Sequence, residues 1–131
     1  MHDDQHGTAM ITSAGLLNAL DVLGKKIEDI KVVISGAGAA AVTCGRLYKK
    51  LGVQAKNVVM VDSRGVIRAD RGNLSHEKQE YATTRDLQTL SDALVGADVF
   101  LGLSIGGILK PEMLKSMAKD PIIFALANPT P

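Results

Sequence analysis

Hydrophobic positions along the chain follow two periods, one typical of helices and one of buried strands. Residues 9–23 repeat apolar side chains at helical spacing and stop before Gly24 and a lysine pair, which predicts a helix over Ala9–Leu23. The next stretch, "IKVVIS", is a continuous β-branched run, as in a strand buried on both faces. The pattern then returns to helical spacing in "AVTCGRLYKKL", a predicted helix with Gly52 at its C-cap.

The same alternation continues to the end of the sequence. Three further apolar runs predict strands, "NVVMVD", "DVFLGLS" and "PIIFALA". Two helices are predicted between them, one with Thr89 or Ser91 near its start and one with Pro111 in its first turn. "GVIRA" is a candidate short extension, and the polar residues 69–88 predict a surface loop with a short helix. Alternating strands and helices predict an α/β fold, a doubly wound parallel sheet of about four to five strands with flanking helices.

Composition narrows the function classes. The 131 residues correspond to one domain, and 46% of them are hydrophobic with only 3% aromatic, so the core is aliphatic. A formal net charge of +1 argues against nucleic-acid and membrane-surface binding. Neither a signal peptide nor an apolar run of the roughly 18 residues that a membrane span needs is visible. The single cysteine, Cys44, excludes an internal disulfide, fits a reducing, cytoplasmic compartment and is predicted to be a buried packing residue.

A glycine loop after the first predicted strand is the main sign of chemistry. Gly36, Gly38 and Ala41 form a G-x-G-x-x-A pattern between a strand and a helix. The first glycine permits a tight turn, the second lets a pyrophosphate approach the backbone, and the alanine keeps helix and strand close. The helix N-terminus offers free N–H groups and the positive end of its dipole to phosphates. This predicts a Rossmann-like dinucleotide site; the residues assigned to it are Gly36, Ala37, Gly38, Ala39, Ala40 and Ala41.

Asp62, at the end of the second predicted strand, stands 24 residues after Gly38. A carboxylate there can accept hydrogen bonds from both hydroxyls of the adenosine ribose and repels a 2′-phosphate, which favours NAD over NADP. Ser63 is also assigned to the cofactor site. Arg64 could bind a 2′-phosphate, so NADP stays possible as the cofactor. Ser104, where the third predicted strand ends, is expected to border the cofactor.

Five segments together resemble the cofactor domain of bacterial malic enzymes: "HDDQHGTA", "GAGAAA", "VDSRGVI", "GADVFLGLS" and "FALANPTP". They follow one another in order over nearly the whole chain, and the first and last are the specific ones. The resemblance implies that residues 1–131 are the NAD(P)-binding domain of a decarboxylating malate dehydrogenase. The full-length enzyme would convert L-malate to pyruvate and CO2 with Mg²⁺ or Mn²⁺, as a homo-oligomer.

The resemblance also implies roles for the two ends of the chain. Asp4 would be one of three carboxylate ligands of the metal, with Asp3 just outside the coordination sphere. Thr8 and Asn128 would lie near malate and the nicotinamide. Two structural alternatives stay open: Thr8 can cap the first helix, and Asn128 can be a turn residue before Pro129.

Two histidines and two tyrosines have other expected roles. His2 and His6 are expected to be incidental to metal binding, since imidazole suits softer metals. A tyrosine and a lysine perform the proton transfers in the family and are expected upstream of this sequence. Tyr48 and Tyr81 match neither motif, so no catalytic residue is assigned here. The isolated chain is therefore expected to bind dinucleotide weakly at best and to leave malate unconverted, with Met1 non-native.

Three alternatives stay open at this point. One is another amino-acid or hydroxy-acid dehydrogenase, against which the "DDQHGTA" opening argues. Another is a bifunctional protein in which a malic enzyme precedes a phosphate-acetyltransferase-like domain. The last is a non-catalytic NAD(H)-sensing module, which would bind NADH tightly as a stable dimer.

Overall fold

The computed structural model describes residues 4–36, 38–62, 65–68, 81–83, 89–103 and 110–125, with the backbone alone at residues 4–6, 8 and 125. Its described helices are α1 (Asp4–Leu23), α2 (Ala39–Leu51), α3 (Leu90–Leu94) and α4 (Pro111–Ser116). Short 3-10 turns occupy Ile27–Asp29 and Ala55–Asn57. In the described part of the chain, no helix is long and apolar enough to cross a membrane.

Five strands form one sheet in the order β3-β2-β1-β4-β5. Four of them run parallel and in register, so that their last residues share one edge. The bounds are β1 Val32–Ser35, β2 Val58–Asp62, β3 Gly65–Val66, β4 Val99–Gly102 and β5 Ile122–Ala125. The chain leaves β1 toward β2 and later returns to the other side of β1 with β4. This reversal creates the topological switch point beside β1 where open α/β sheets bind ligands.

Alternate residues of each parallel strand enter two separate cores. Val32 and Ile34 of β1 pack with α1 and α2, whereas Val33 packs with α3 and α4 on the opposite face. All four β1 residues are buried, as the continuous apolar run predicts. The sheet is therefore covered on both faces, and the predicted doubly wound α/β architecture is confirmed.

Predicted helix ends are confirmed where the structure describes them. Gly52 closes α2 with φ 129°, and its N–H donates to the carbonyls of Tyr48 and Lys49. Thr89 caps α3 through a reciprocal box with Asp92, and Pro111 is the first residue of α4. Cys44 is fully buried in α2, also as predicted.

Helix α1 begins at Asp4, five residues before the predicted start at Ala9. The prediction was wrong there because it followed the apolar repeat, which starts only at Ala9, whereas acidic residues are themselves favourable in the first turn of a helix. Thr8 is the fifth residue of α1, so the alternative that it caps this helix is wrong as well.

Two other segments differ from the sequence-based expectation. β3 pairs antiparallel with β2, joining Asp62 to Gly65, so the edge of the otherwise parallel sheet ends in a tight hairpin. Tyr81, in the stretch expected at the surface, is only 4% exposed and packs in the α1–α2 core. Two residues later, the Thr83 N–H donates to the carbonyl of Ile67 at 3.0 Å. The remainder of residues 69–88 lies outside the described part of the chain.

Candidate functional site

The carboxyl ends of β1, β2 and β4 are joined by backbone hydrogen bonds beyond the last residue of β1. The Gly36 N–H donates to the Val61 carbonyl at 2.7 Å, and the Leu103 N–H donates to the Ser35 carbonyl at 2.9 Å. These bonds bring the start of the glycine turn beside the end of β2 on one side and the end of β4 on the other. Gly36, Asp62 and Leu103 therefore lie at one edge of the sheet.

The two glycines of the turn differ in what they contribute. Gly36 has φ 130°, a conformation that favours glycine, so it allows the sharp exit from β1. Gly38 has φ −81°, which any residue adopts, and a Cβ built on it meets nothing within 4 Å. The missing side chain at Gly38 therefore leaves open space in front of the helix rather than relieving a backbone constraint, which suits close approach of a ligand.

Helix α2 starts directly behind this open space. Gly38 occupies its N-cap position and supplies no side-chain cap, while the Gly38 carbonyl accepts from the Val42 N–H at 3.1 Å. The first N–H groups of a helix have no partner within it, so those of Ala39–Ala41 point toward the sheet edge. Ala41, the third small residue of the G-x-G-x-x-A pattern, is buried against the core, which lets the helix and the strand pack closely. These amides and the helix dipole fit a pyrophosphate.

Asp62 is the last residue of β2 and half-buried. Its backbone pairs with Gly65, whose φ of 112° closes the hairpin. Because Val61 is hydrogen-bonded to Gly36, Asp62 stands one residue from the glycine turn along β2. This is the location from which a carboxylate reaches the adenosine ribose in dinucleotide sites of this topology.

Helix α1 ends at the amino edge of the sheet and runs back from there in the direction of the carboxyl edge. Lys25, just after α1, contacts Asp98 at 3.0 Å, and Asp98 precedes β4 at the amino edge of the sheet. The 20 residues of α1 extend about 30 Å, so Asp4 at its start lies toward the carboxyl edge. This direction is compatible with the predicted placement of Asp4 near the dinucleotide site, and the roles of Asp4 and Thr8 stay predictions.

Both tyrosines of the chain are buried structural residues. The Tyr48 hydroxyl donates to Thr12 Oγ1 at 2.6 Å, and burial raises the pKa of Tyr48 far above its usual range. The Tyr81 hydroxyl donates to the Val42 carbonyl at 3.1 Å, and Lys49 Nζ lies 4.4 Å from the centre of its ring. Neither phenol is placed to exchange protons with a ligand at the sheet edge.

Several predicted site residues lie outside the described residues. These are Asp3, Ala37, Ser63, Ser104 and Asn128. For Asp4 and Thr8 only the backbone is described, so their side-chain roles stay predictions. Within the described ranges, no group of three or more His, Cys, Asp or Glu residues is arranged to hold a metal ion.

Comparison with known proteins agrees with this geometry. The family profile described as "Malic enzyme, NAD binding domain" matches residues 5–131. The chain belongs to the malic enzyme family, as its NAD-binding domain. An NAD-dependent malic enzyme from Geobacillus stearothermophilus is 50% identical over 99% of this malic enzyme domain. An NADP-dependent malic enzyme from Escherichia coli is 51% identical over the same share.

Solved structures give the same assignment. The NAD-dependent malic enzyme of Thermotoga maritima superposes with a TM-score of 0.87 and 45% identity over 100% of this malic enzyme domain. The domain spans 28% of the Geobacillus relative, 17% of the Escherichia relative and 36% of the Thermotoga chain. Relatives named for NAD and for NADP are thus equally similar, and overall identity does not decide between the two cofactors.

Sequence reasoning missed the hydroxyl pair inside the malic enzyme domain, Thr12 and Tyr48. A usable signal was present, because Ala41, Cys44 and Tyr48 share the buried stripe of α2 at helical spacing. A tyrosine in such a stripe needs a hydrogen-bond partner, and Thr12 occupies the corresponding stripe of α1.

Proposed function

We propose that the full-length protein oxidises L-malate with NAD or NADP and releases CO2 to give pyruvate, in the manner of a malic enzyme. The observation that carries the proposal is the match to the malic enzyme NAD-binding family over residues 5–131, together with the open glycine turn in front of α2. The relatives named above are malic enzymes by name. In this proposal the chain supplies the dinucleotide site and one wall of the malate site.

The described residues perform binding and orientation. The amides of Ala39–Ala41 hold the pyrophosphate, and the absence of a side chain at Gly38 lets it approach. Asp62 accepts hydrogen bonds from the adenosine ribose, which leaves the nicotinamide half to extend past the ends of β1 and β4. Ser104 and Asn128, which follow β4 and β5 in the sequence, are proposed to border the nicotinamide and malate.

A divalent cation, Mg²⁺ or Mn²⁺, is part of the proposal. Asp4 would supply one carboxylate oxygen, a donor type that hard cations prefer, and the position of α1 supports this because its first residue lies toward the cofactor edge. When bound, such an ion would act as a Lewis acid and stabilise negative charge on a substrate oxygen. The remaining ligands, and the tyrosine and lysine for proton transfer, are proposed to come from other parts of the full-length protein.

The deciding experiment is an assay of the full-length protein with L-malate, Mn²⁺ and either NAD or NADP. We expect a malate-dependent increase in absorbance at 340 nm from the reduced dinucleotide, and formation of pyruvate in equal amount. A chelator should abolish both. Asp4→Asn should weaken Mn²⁺ binding by at least about tenfold. Asp21→Asn is the matched control, since it removes an exposed carboxylate near the other end of the same helix.

Two results would contradict the proposal. Reduction of the dinucleotide without release of pyruvate and CO2 would indicate a plain dehydrogenase. Tight NADH binding with no malate turnover under any metal condition would favour a sensing module. The 131-residue chain alone is expected to give no turnover, so activity in that chain would refute the assignment of catalytic residues outside it.

The relatives fall into two lengths, and this bears on a bifunctional alternative. The chain spans 28–32% of the Geobacillus, Halomonas elongata and Bacillus subtilis relatives but 17–18% of those from Escherichia coli and Haemophilus influenzae. The longer proteins leave room for a further domain after a malic enzyme, such as the phosphate-acetyltransferase-like one considered above. The mass of the native protein distinguishes the two cases.

We also propose that the full-length protein is a homo-oligomer. Helix α1 carries large apolar side chains on its outer face, with Met10, Ile11 and Val22 between 68% and 75% exposed. Several large apolar side chains exposed on one helix support coverage by another protein surface. Light scattering of the full-length protein tests this, and a monomer at micromolar concentration would contradict it.

A further inference from the structure

Helices α1 and α2 are joined inside the core by a chain of hydroxyl hydrogen bonds. The Tyr48 hydroxyl donates to Thr12 Oγ1 at 2.6 Å, and Thr12 Oγ1 donates to the Ala9 carbonyl at 3.3 Å. Tyr48 and Thr12 are 0% and 1% exposed. A hydrogen bond between two buried hydroxyls requires a particular distance and angle, whereas the aliphatic contacts around it have no preferred direction. This hydrogen bond therefore fixes the position of α1 along the axis of α2.

The offset matters because the two helices point their N-termini to the same sheet edge. Thr12 stands eight residues after Asp4, and Tyr48 stands nine residues after Ala39. At about 1.5 Å per residue, the two N-termini extend roughly 12 and 13 Å beyond the hydrogen bond. Both helices end toward the amino edge of the sheet, so both N-termini extend toward its carboxyl edge, α1 to Asp4 and α2 to the glycine turn.

We propose that Tyr48 is a positioning residue, which through Thr12 holds the start of α1 at a fixed height relative to the glycine turn. This inference rests on the proposed function, in which α2 holds the dinucleotide and α1 contributes to the metal and malate site. Hydride transfer needs the nicotinamide and malate in near-contact geometry, and a displacement of about 1 Å can cost about a hundredfold in rate. A smaller shift of one helix along the other should therefore reduce the rate of hydride transfer by a smaller factor.

Tyr48→Phe and Tyr81→Phe in the full-length protein form a matched pair. Each removes one buried phenol hydroxyl. The Tyr48 hydroxyl bonds to Thr12 of α1, whereas the Tyr81 hydroxyl bonds to the Val42 carbonyl of α2. For Tyr48→Phe we expect kcat with malate to fall about three- to tenfold, while the Kd of NAD in the absence of malate and metal stays within about twofold. For Tyr81→Phe we expect kcat to stay within about twofold even if the melting temperature falls equally.

Thr12 provides a second, independent pair. Thr12→Ser keeps the accepting hydroxyl and should retain kcat, whereas the nearly isosteric Thr12→Val should reproduce the loss seen in Tyr48→Phe. The double variant Tyr48→Phe/Thr12→Val should lose no more than Thr12→Val alone, because Thr12→Val already removes the bond to Tyr48. If Tyr48→Phe does not fold, the comparison of Thr12→Ser with Thr12→Val decides.

Equal kcat changes in Tyr48→Phe and Tyr81→Phe would overturn the inference, since they would reflect general destabilisation. A loss of NAD affinity that matches the loss of kcat would also overturn it, because the glycine turn itself would then be damaged. Failure of the proposed function is recognised separately. In that case Asp4→Asn leaves Mn²⁺ binding unchanged, or the unmodified protein releases no pyruvate.

Discussion

Lys25 and Asp98 form an ion pair at the amino edge of the sheet, with Nζ 3.0 Å from Oδ1 and both side chains less than 20% exposed. Lys25 also donates to the carbonyls of Lys119 and Asp120, and Asp98 Oδ2 accepts from the Lys31 N–H. One lysine thus connects the end of α1 to the starts of β4 and β5. This cluster sits at the sheet edge opposite the glycine turn, so it contributes to stability rather than to binding.

Replacing Lys25 by Met should destabilise the fold by about 1–3 kcal/mol, because a partly buried carboxylate and two carbonyls lose their donor. Lys26→Met, at an adjacent exposed position, is the control and should change the unfolding free energy by less than about 0.5 kcal/mol. Urea unfolding followed by circular dichroism measures both. Equal effects of the two substitutions would contradict a role for the Lys25 cluster.

The two glycines of the turn should respond differently to substitution. A Cβ at Gly38 meets nothing within 4 Å, so we expect Gly38→Val to cost at most about 1 kcal/mol of stability, from the poorer N-cap, but to weaken NAD binding at least about tenfold. Gly36→Ala should destabilise by about 1–3 kcal/mol, since φ 130° is strained for alanine. Calorimetric NAD titration and thermal melts separate the two effects. Unchanged NAD affinity in Gly38→Val would place the pyrophosphate elsewhere.

Asp62 should determine much of the preference between NAD and NADP. Removing its charge in Asp62→Ser eliminates repulsion of a 2′-phosphate and the hydrogen bonds to the ribose. We expect the ratio of kcat/KM for NAD to that for NADP to fall at least about tenfold in the full-length protein. Asp29→Ser, at an exposed position before β1 and so toward the amino edge of the sheet, should leave this ratio unchanged. An unaltered ratio in Asp62→Ser would show that another residue selects the cofactor.

Gly45 allows Tyr81 to pack against α2. A Cβ at Gly45 would stand 2.7–2.8 Å from the phenol of Tyr81, so Gly45→Ala should destabilise the protein by about 1–3 kcal/mol although alanine favours helices. At Gly7 in α1 the same substitution meets nothing within 4 Å and should be neutral or stabilising by up to about 1 kcal/mol. Opposite signs in thermal unfolding are the expected result, and a stabilising Gly45→Ala would contradict this packing.

Alkaline pH should destabilise the fold through two buried groups. Burial raises the pKa of the Cys44 thiol above its ordinary 9.0, with a smaller opposing effect from its hydrogen bond to Thr12. The pKa of Tyr48 is raised by burial in the same way. The folded state then holds protons that the unfolded state releases, so the contribution of these two groups to the unfolding free energy is constant below about pH 8.5 and falls above it. In Cys44→Ala the fall between pH 8 and 10 should be shallower, and an identical slope would contradict the assignment.

The order of elements was readable from the sequence because each depends on neighbouring residues. Continuous apolar runs predicted β1, β2, β4 and β5, and Gly52, Thr89 and Pro111 correctly indicated helix ends. The glycine turn was readable for the same reason, since a positive φ at Gly36 is a local requirement. The start of α1 was missed because its first residues lack the apolar repeat on which the prediction relied.

By itself, then, the sequence determined the strand and helix pattern, the small residues of the turn and the acid at the end of β2. Only the tertiary structure decided that β3 turns back on β2, that Tyr81 packs on Gly45, and that Tyr48 reaches Thr12 across 36 residues of sequence. Local patterns specify backbone conformation and which face is apolar. Which distant side chains meet depends on how whole helices and strands pack, and no short stretch of sequence contains that information.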